Sequence, residues 1–125
     1  FDDALYTAAR LLEIVSKSNK SCSEIFDEFP VNLSTPEINI NFEKHGQQFE
    51  AMAKLSTNIN FPGATINTID GVRVDYENCW GLVRASNTTP CLVLRFEAFD
   101  NELLNKIKAK FIQWLEINSI STGSL

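Results

Sequence analysis

The sequence predicts an α+β fold: a four-stranded, mainly antiparallel sheet with two helices on one face, preceded by a separate helical segment. Three observations carry this. Apolar residues alternate with polar ones in short runs, at Ile38-Ile40-Phe42 and again in closely spaced stretches between Thr65 and Glu97. Two other segments, about residues 46–57 and from Asp100 onward, repeat their apolar residues at helical spacing. The resulting order of strand, helix, clustered strands and helix suits an antiparallel sheet with its helices gathered on one face.

At the start, Ala4, Leu5, Ala8, Leu11, Leu12 and Val15 recur at helical spacing, with Asp2 or Asp3 placed to cap or complement the helix, so a helix over residues 2–17 is expected. Ser18-Asn19-Lys20-Ser21 breaks the pattern, and a short helical turn around residues 23–29 leads to Pro30. The polar stretch Val31–Thr35, closed by Pro36, reads as a linker and a hinge, because proline restricts both itself and the residue before it. Residues 1–31 are therefore expected to be the helical tail of a preceding domain with its linker, 32–118 the main domain, and 119–125 a tail.

Beyond Pro36, Ile38, Ile40 and Phe42 share one face of a strand, with Asn39, Asn41 and Glu43 on the other, and His45 and Gly46 end it. Phe49, Met52, Ala53 and Ser56 form the stripe of the next helix, which stops before Phe61-Pro62-Gly63. Thr65–Ile69 and Val72–Tyr76 flank Asp70-Gly71, a dipeptide whose tolerance of positive φ suits a two-residue hairpin turn. Trp80–Arg84 and Cys91–Glu97 flank the bend Ala85–Pro90. A last helix, capped by Asp100, aligns Leu103, Leu104, Ile107, Phe111, Trp114 and Leu115 along one side.

With 125 residues, 44% apolar and 22% charged, the chain has the composition of an ordinary globular domain. A formal net charge of −5 repels polyanions at long range, which argues against general nucleic-acid binding. Cys22, Cys79 and Cys91 are odd in number and form no C-x-x-C pair, as expected of free thiols in a reducing cytosol. No apolar stretch approaches the roughly 20 residues that span a bilayer, and Phe1-Asp2-Asp3 opens no secretory signal. The missing initiator methionine suggests a piece of something longer.

Chemistry concentrates in Arg84-Ala85-Ser86-Asn87-Thr88-Thr89-Pro90, which sets a guanidinium, three hydroxyls and a side-chain amide in a bend between apolar strands. A phosphate dianion demands such donors, and charge-assisted hydrogen bonds to it are short and strong. No nucleophile and base stand together here, so the chemistry on offer is binding. The competing reading is a solvated loop with Arg84 at its rim. Arg95, on the opposite strand, either flanks the same bend or pairs with Glu97 or Asp75. Elsewhere the plainer readings prevail. His45 is a surface or capping residue, Cys79 and Cys91 are inert packing, and Trp80, Trp114, Phe96 and Phe111 are core. Asn32-Leu33-Ser34 and Asn87-Thr88-Thr89 match the glycosylation pattern by chance. Lys106, Lys108 and Lys110 mark the solvated side of the last helix.

The bend and the strand after it, Cys91-Leu92-Val93-Leu94-Arg95-Phe96-Glu97, resemble the phosphate-binding loop of α-D-phosphohexomutases, the bacterial phosphomannomutase/phosphoglucomutase type among them. Asp70-Gly71-Val72-Arg73-Val74, Trp80-Gly81-Leu82-Val83, Ser34-Thr35-Pro36-Glu37-Ile38 and the opening Phe1-Asp2-Asp3 with Ala8-Ala9-Arg10-Leu11-Leu12 are similar to the same family. The resemblance implies a four-domain isomerase, an intramolecular phosphotransferase that interconverts hexose 1- and 6-phosphates through a phosphoserine and a bisphosphorylated sugar. Residues 1–31 then end the third domain. Residues 32–118 form a fourth, TATA-binding-protein-like domain that grips the unreactive phosphate. Carried over to this chain, the phosphate contacts are Arg84, Ser86, Asn87 and Thr88, with Arg95 close behind. Asn87 and Ala85 look like the bacterial mannose/glucose enzymes, whereas relatives acting on glucosamine phosphates usually resemble a version with Gly at position 87. Thr89 replaces a Glu found in many relatives. The resemblance further implies Mg2+ bound by another domain, mannose or glucose phosphates and the enzyme's other domains as partners, no nucleic acid or membrane, a monomer, and a cytoplasmic location. No phosphoserine motif, Asp-Gly-Asp metal loop or Glu-x-Ser sugar-reading loop occurs in the chain, so catalysis is not expected of it alone. The alternative is a non-catalytic protein- or nucleic-acid-binding module with the same kind of sheet.

Overall fold

The computed structural model describes residues 3–123. The chain forms two compact units, one ending at Val31 and the other beginning at Asn32. In the first, helix α1 (Ala4–Lys17) starts where Asp3 accepts a hydrogen bond from the Tyr6 N–H at 2.9 Å. Asp2, the other candidate cap, lies outside the described residues. Glu13 joins Arg10 and Lys17 along the helix, and no residue of α1 is buried. Helix α2 (Cys22–Phe26) opens on a capping box in which Ser21 and Glu24 satisfy each other's backbone N–H.

The second unit holds β1 (Leu33–Ser34), β2 (Ile38–Asn41), α3 (Gln47–Thr57), β3 (Thr65–Asn67), β4 (Val72–Tyr76), β5 (Cys79–Ala85), β6 (Cys91–Ala98) and α4 (Asn101–Ile117). The expected α+β layout is present, with every strand pair antiparallel and the order β1-β6-β5-β4-β3. The sheet has more strand segments than the expected four, because β1 and β2 both lie along β6, pairing Leu33 with Ala98 and Ile38 with Leu94. The stretch read as a linker therefore belongs in part to the sheet. Thr35 extends the tie, its N–H donating to the Phe96 carbonyl at 2.9 Å and its hydroxyl accepting from the Phe96 N–H at 3.2 Å.

Register places Ile40, Val72, Val74, Val83, Leu92, Leu94 and Phe96 on one face, where α3 contributes Met52 and Leu55 and α4 contributes Ile107, Phe111, Trp114 and Leu115. Burying one such side chain is worth about 1.5–3 kcal/mol, so this face dominates the unit's stability. Gly81 permits the closest contact: a Cβ there would stand 2.5 Å from the Phe111 ring, so α4 packs directly on the backbone of β5. Asp100 caps α4, accepting from the Leu103 N–H at 2.8 Å.

Several elements depart from expectation. The buried stripe of α3 is Gln48, Met52 and Leu55, whereas Phe49 and Ala53 are exposed. A polar residue leads the stripe, which shifts the apolar pattern by one position. The connection from β3 to β4 is Thr68–Gly71, longer than the two-residue turn expected, and Gly71 takes φ +82°. Trp80 is not core: it lies half-buried on the face away from the helices, with the Arg73 guanidinium 4.0 Å from its ring centre. Lys110 is not fully solvated, since its ammonium donates to the Tyr76 hydroxyl at 3.0 Å. Past Ile117, buried Asn118 donates to the Trp114 carbonyl at 2.8 Å and accepts from Asn58 at 3.2 Å. Ile120, in the stretch set aside as a tail, is buried in the same core.

Candidate functional site

The β5–β6 ladder ends at the pair Ala85 and Leu92, and the bend begins one residue later. The Ser86 N–H donates to the Cys91 carbonyl at 3.0 Å, and the Cys91 N–H donates to the Thr89 carbonyl at 2.8 Å. The Ser86 hydroxyl oxygen accepts from the N–H groups of Thr88 and Thr89 at 3.4 and 3.2 Å and lies 2.8 Å from the Thr89 hydroxyl. This local ring is what a serine opening a tight turn commonly makes. The Phe42 N–H donates to the Pro90 carbonyl at 2.7 Å, tying the far end of the bend to the segment after β2.

Gln48 completes the bend from beneath. Its side chain is fully buried, its oxygen accepts from the Gly46 N–H at 2.8 Å, and its nitrogen donates to the carbonyls of Ser86 and Thr89 at 3.2 and 3.4 Å. The carbonyls of Ser86, Thr89, Pro90 and Cys91 are thus all engaged with the protein. Asn87 and Thr88 are exposed, and among the described residues the Asn87 N–H and side chain have no hydrogen-bond partner. Because the Thr88 and Thr89 N–H groups are taken up by the Ser86 hydroxyl, the donors left among the described residues for an anion are the Asn87 N–H, its side-chain amide and the Thr88 hydroxyl.

Arg84 and Arg95 sit on the face of the sheet opposite the helices. Together with Glu37, Asp70, Arg73 and Leu82 they line an open concavity of about 540 Å3, which Ser86, Asn87 and Thr88 do not line. The five expected contacts therefore divide. Ser86, Asn87 and Thr88 make the bend, Arg84 stands two positions before Ser86, next to the last residue of β5, and Arg95 pairs across from Leu82, further from the turn. Neither partner considered for Arg95 is engaged by it: Asp75 takes Arg73 in a two-pronged contact at 2.7–3.0 Å, and Glu97 accepts from Asn32 at 2.9 Å. Arg84 instead donates to Asp70 at 3.2 Å, an ion pair with both side chains substantially exposed.

In the sequence Gln48 is passed over and Asp70-Gly71 is taken as a turn, without a part in the site. A Cβ on Gly71 would lie 2.1 Å from the Val83 carbonyl oxygen and 2.7 Å from the Arg84 Cα, so the turn carrying Asp70 presses against β5 beside the arginine. The Asp-Gly dipeptide held that signal, but only as a turn. Gln48 offered none, since a glutamine on a helix is ordinarily a surface residue.

His45 is exposed, its ring edge-on to Phe49 at 5.7 Å. Cys79, half-buried, has its thiol pKa raised by burial, against the opposing pull of Lys110 and Lys106. Among the described residues, no group of three or more His, Cys, Asp or Glu is placed to hold a metal ion, and no helix is long and apolar enough to cross a membrane.

Residues 37–113 match the family model described as phosphoglucomutase/phosphomannomutase, C-terminal domain. A phosphomannomutase/phosphoglucomutase of Pseudomonas putida is 54% identical over 111 residues, covering 89% of this chain and 24% of that protein. A phosphoglucomutase of Neisseria gonorrhoeae is 46% identical over 119 residues, 94% of this chain and 26% of that protein. The crystal structure of a phosphoglucomutase/phosphomannomutase family protein from Burkholderia thailandensis superposes on the whole chain with a TM-score of 0.79 at 39% identity, over 25% of its own length. The chain thus spans about a quarter of the relatives it matches.

Proposed function

The chain belongs to the phosphoglucomutase/phosphomannomutase family, matching its C-terminal domain, and from that premise we propose that the β5–β6 bend grips the phosphate of a hexose phosphate. One observation carries the reading: exposed Asn87 and Thr88 sit in a bend whose neighbouring carbonyls are tied to the protein, with Arg84 two positions before the bend's first residue, Ser86. The bend's N–H and hydroxyl groups supply short-range donors, and the guanidinium supplies charge and two-pronged geometry. Arg84 leaves Asp70 for the phosphate, exchanging an exposed ion pair worth little for a dianionic partner. Arg95, exposed in the same concavity and further from the turn, contributes its charge from behind.

In this reading the whole enzyme is an isomerase that moves a phosphoryl group between the 1- and 6-positions of mannose or glucose phosphate. A phosphoserine elsewhere in the polypeptide donates the group, the bisphosphorylated sugar turns around, and the bend holds whichever phosphate is not reacting. The magnesium that family membership implies supplies charge neutralisation to that transfer. The described residues do not fit such an ion, which leaves it to other domains, and the bend's part is binding and orientation alone.

Binding by this chain alone is expected to be weak, with a dissociation constant of about a millimolar, equivalent to about −4 kcal/mol. An NMR titration with glucose 1-phosphate or mannose 6-phosphate is expected to move the amides of Ser86, Asn87 and Thr88 first. Largest shifts at any other set of residues would defeat the assignment.

A further inference from the structure

We infer that Gln48 is a positioning residue for the phosphate grip, shaping the bend before any ligand arrives. The inference rests on the reading of the bend as an anion site. Glutamine is seldom fully buried, because its amide must then find partners inside the protein. Here every partner has a purpose. The Gln48 oxygen fixes its own helix start through the Gly46 N–H at 2.8 Å, and both amide hydrogens are spent on the bend, at the carbonyls of Ser86 and Thr89, 3.2 and 3.4 Å away. Those two carbonyls bracket the exposed stretch Asn87-Thr88-Thr89.

The geometry has a chemical consequence. A carbonyl oxygen facing outward beside a phosphate would repel it, and a loop free to turn its peptide planes would spend part of each binding event turning them back. By holding the Ser86 carbonyl toward the core, Gln48 turns the N–H of the same trans peptide, that of Asn87, toward solvent, while its second bond, to the Thr89 carbonyl ahead of Pro90, fixes the far side of the bend. Its amide is anchored on α3 and reaches across to the β5–β6 connection, elements far apart in sequence, so the grip is braced from outside its own loop. The benefit is preorganisation, which improves affinity by lowering the ordering cost of binding.

The test uses the 125-residue chain and inorganic sulfate, a dianion whose charge is constant near neutral pH, followed by NMR on folded protein. Gln48→Met keeps the buried volume and removes both donated hydrogen bonds. It is expected to raise the sulfate dissociation constant about tenfold and to speed amide hydrogen exchange at Ser86 and Thr89, whose N–H groups are bonded within the bend, with exchange at Leu94 unchanged. A merely structural glutamine would lower the melting temperature and leave the affinity of the folded molecules alone. Affinity within twofold of the parent, with unmoved bend amides, overturns the inference. If Gln48→Met does not fold, Gln48→Asn serves in its place, since it keeps an amide too short to reach both carbonyls, and the same outcomes apply. A parent chain whose Ser86, Asn87 and Thr88 amides ignore sulfate defeats the anion-site reading and this inference with it. A parent that binds while Gln48→Met binds equally well defeats this inference alone.

Discussion

The two faces of the sheet differ in what they ask of their residues. Toward the helices, Leu92, Leu94 and Phe96 of β6 are completely buried against α3 and α4, and aromatic rings pack on one another, Phe96 on Phe111 at 5.1 Å and Phe111 on Trp114 at 5.7 Å. On the far face, the same strand carries Arg95 and Glu97, neighbouring β5 carries Trp80 and the Arg84 that meets Asp70, and β4 beyond it lays Arg73 over Trp80. The first face is apolar and decides whether the unit folds. The second is assembled from exposed ion pairs that contribute little to stability, and its groups remain available to a ligand.

Substitutions can break this division of labour. The largest effect is expected at Phe111→Ala, which leaves a cavity beneath Gly81 and should cost about 3–5 kcal/mol in urea unfolding. Near-parent stability there would mean that the helix face is not where the unit's folding energy lies. Arg84→Ala should cost at most about 1 kcal/mol of stability, because its Asp70 pair is exposed. In the full-length enzyme, the same change should raise the transition-state barrier by about 2–3 kcal/mol in kcat/KM, the loss of charge-assisted hydrogen bonds. Normal kinetics in that variant would remove the ligand from the far face. The smallest effect is expected at Asp70→Asn. Stability should stay within about 0.5 kcal/mol, and phosphate affinity should rise about two- to fivefold as the competing carboxylate is removed. Weaker binding would show instead that Asp70 aims the guanidinium, which would make the turn before β4 part of the grip.

The same division explains what the sequence made legible. Strands β2, β4, β5 and β6 and helix α4 obey clear periodicities and stand where expected, with Asp100 capping α4. Two-residue β1 is too short to show a period, and its partner lies at the far end of the sequence, so the stretch around it read as a linker. Trp80 was misplaced because apolarity alone does not say which face a side chain occupies; its cross-strand neighbour Asp75 and the stacked Arg73 do. At the site, the bend announced itself by its density of donors. Its supports did not, because Gln48 and Asp70 become meaningful only when distant segments meet, and a single glutamine or aspartate has no local pattern to betray it.

Gly71 leaves no gap between its own backbone and that of β5 at Val83 and Arg84. Backbone against backbone is the stiffest coupling a protein has, with no rotamer in between to absorb a displacement. A lengthened turn or a bulkier residue at this point would be transmitted straight to the base of Arg84 and to its core neighbour Val83. The arginine's reach is thus governed by a neighbour that carries no side chain at all.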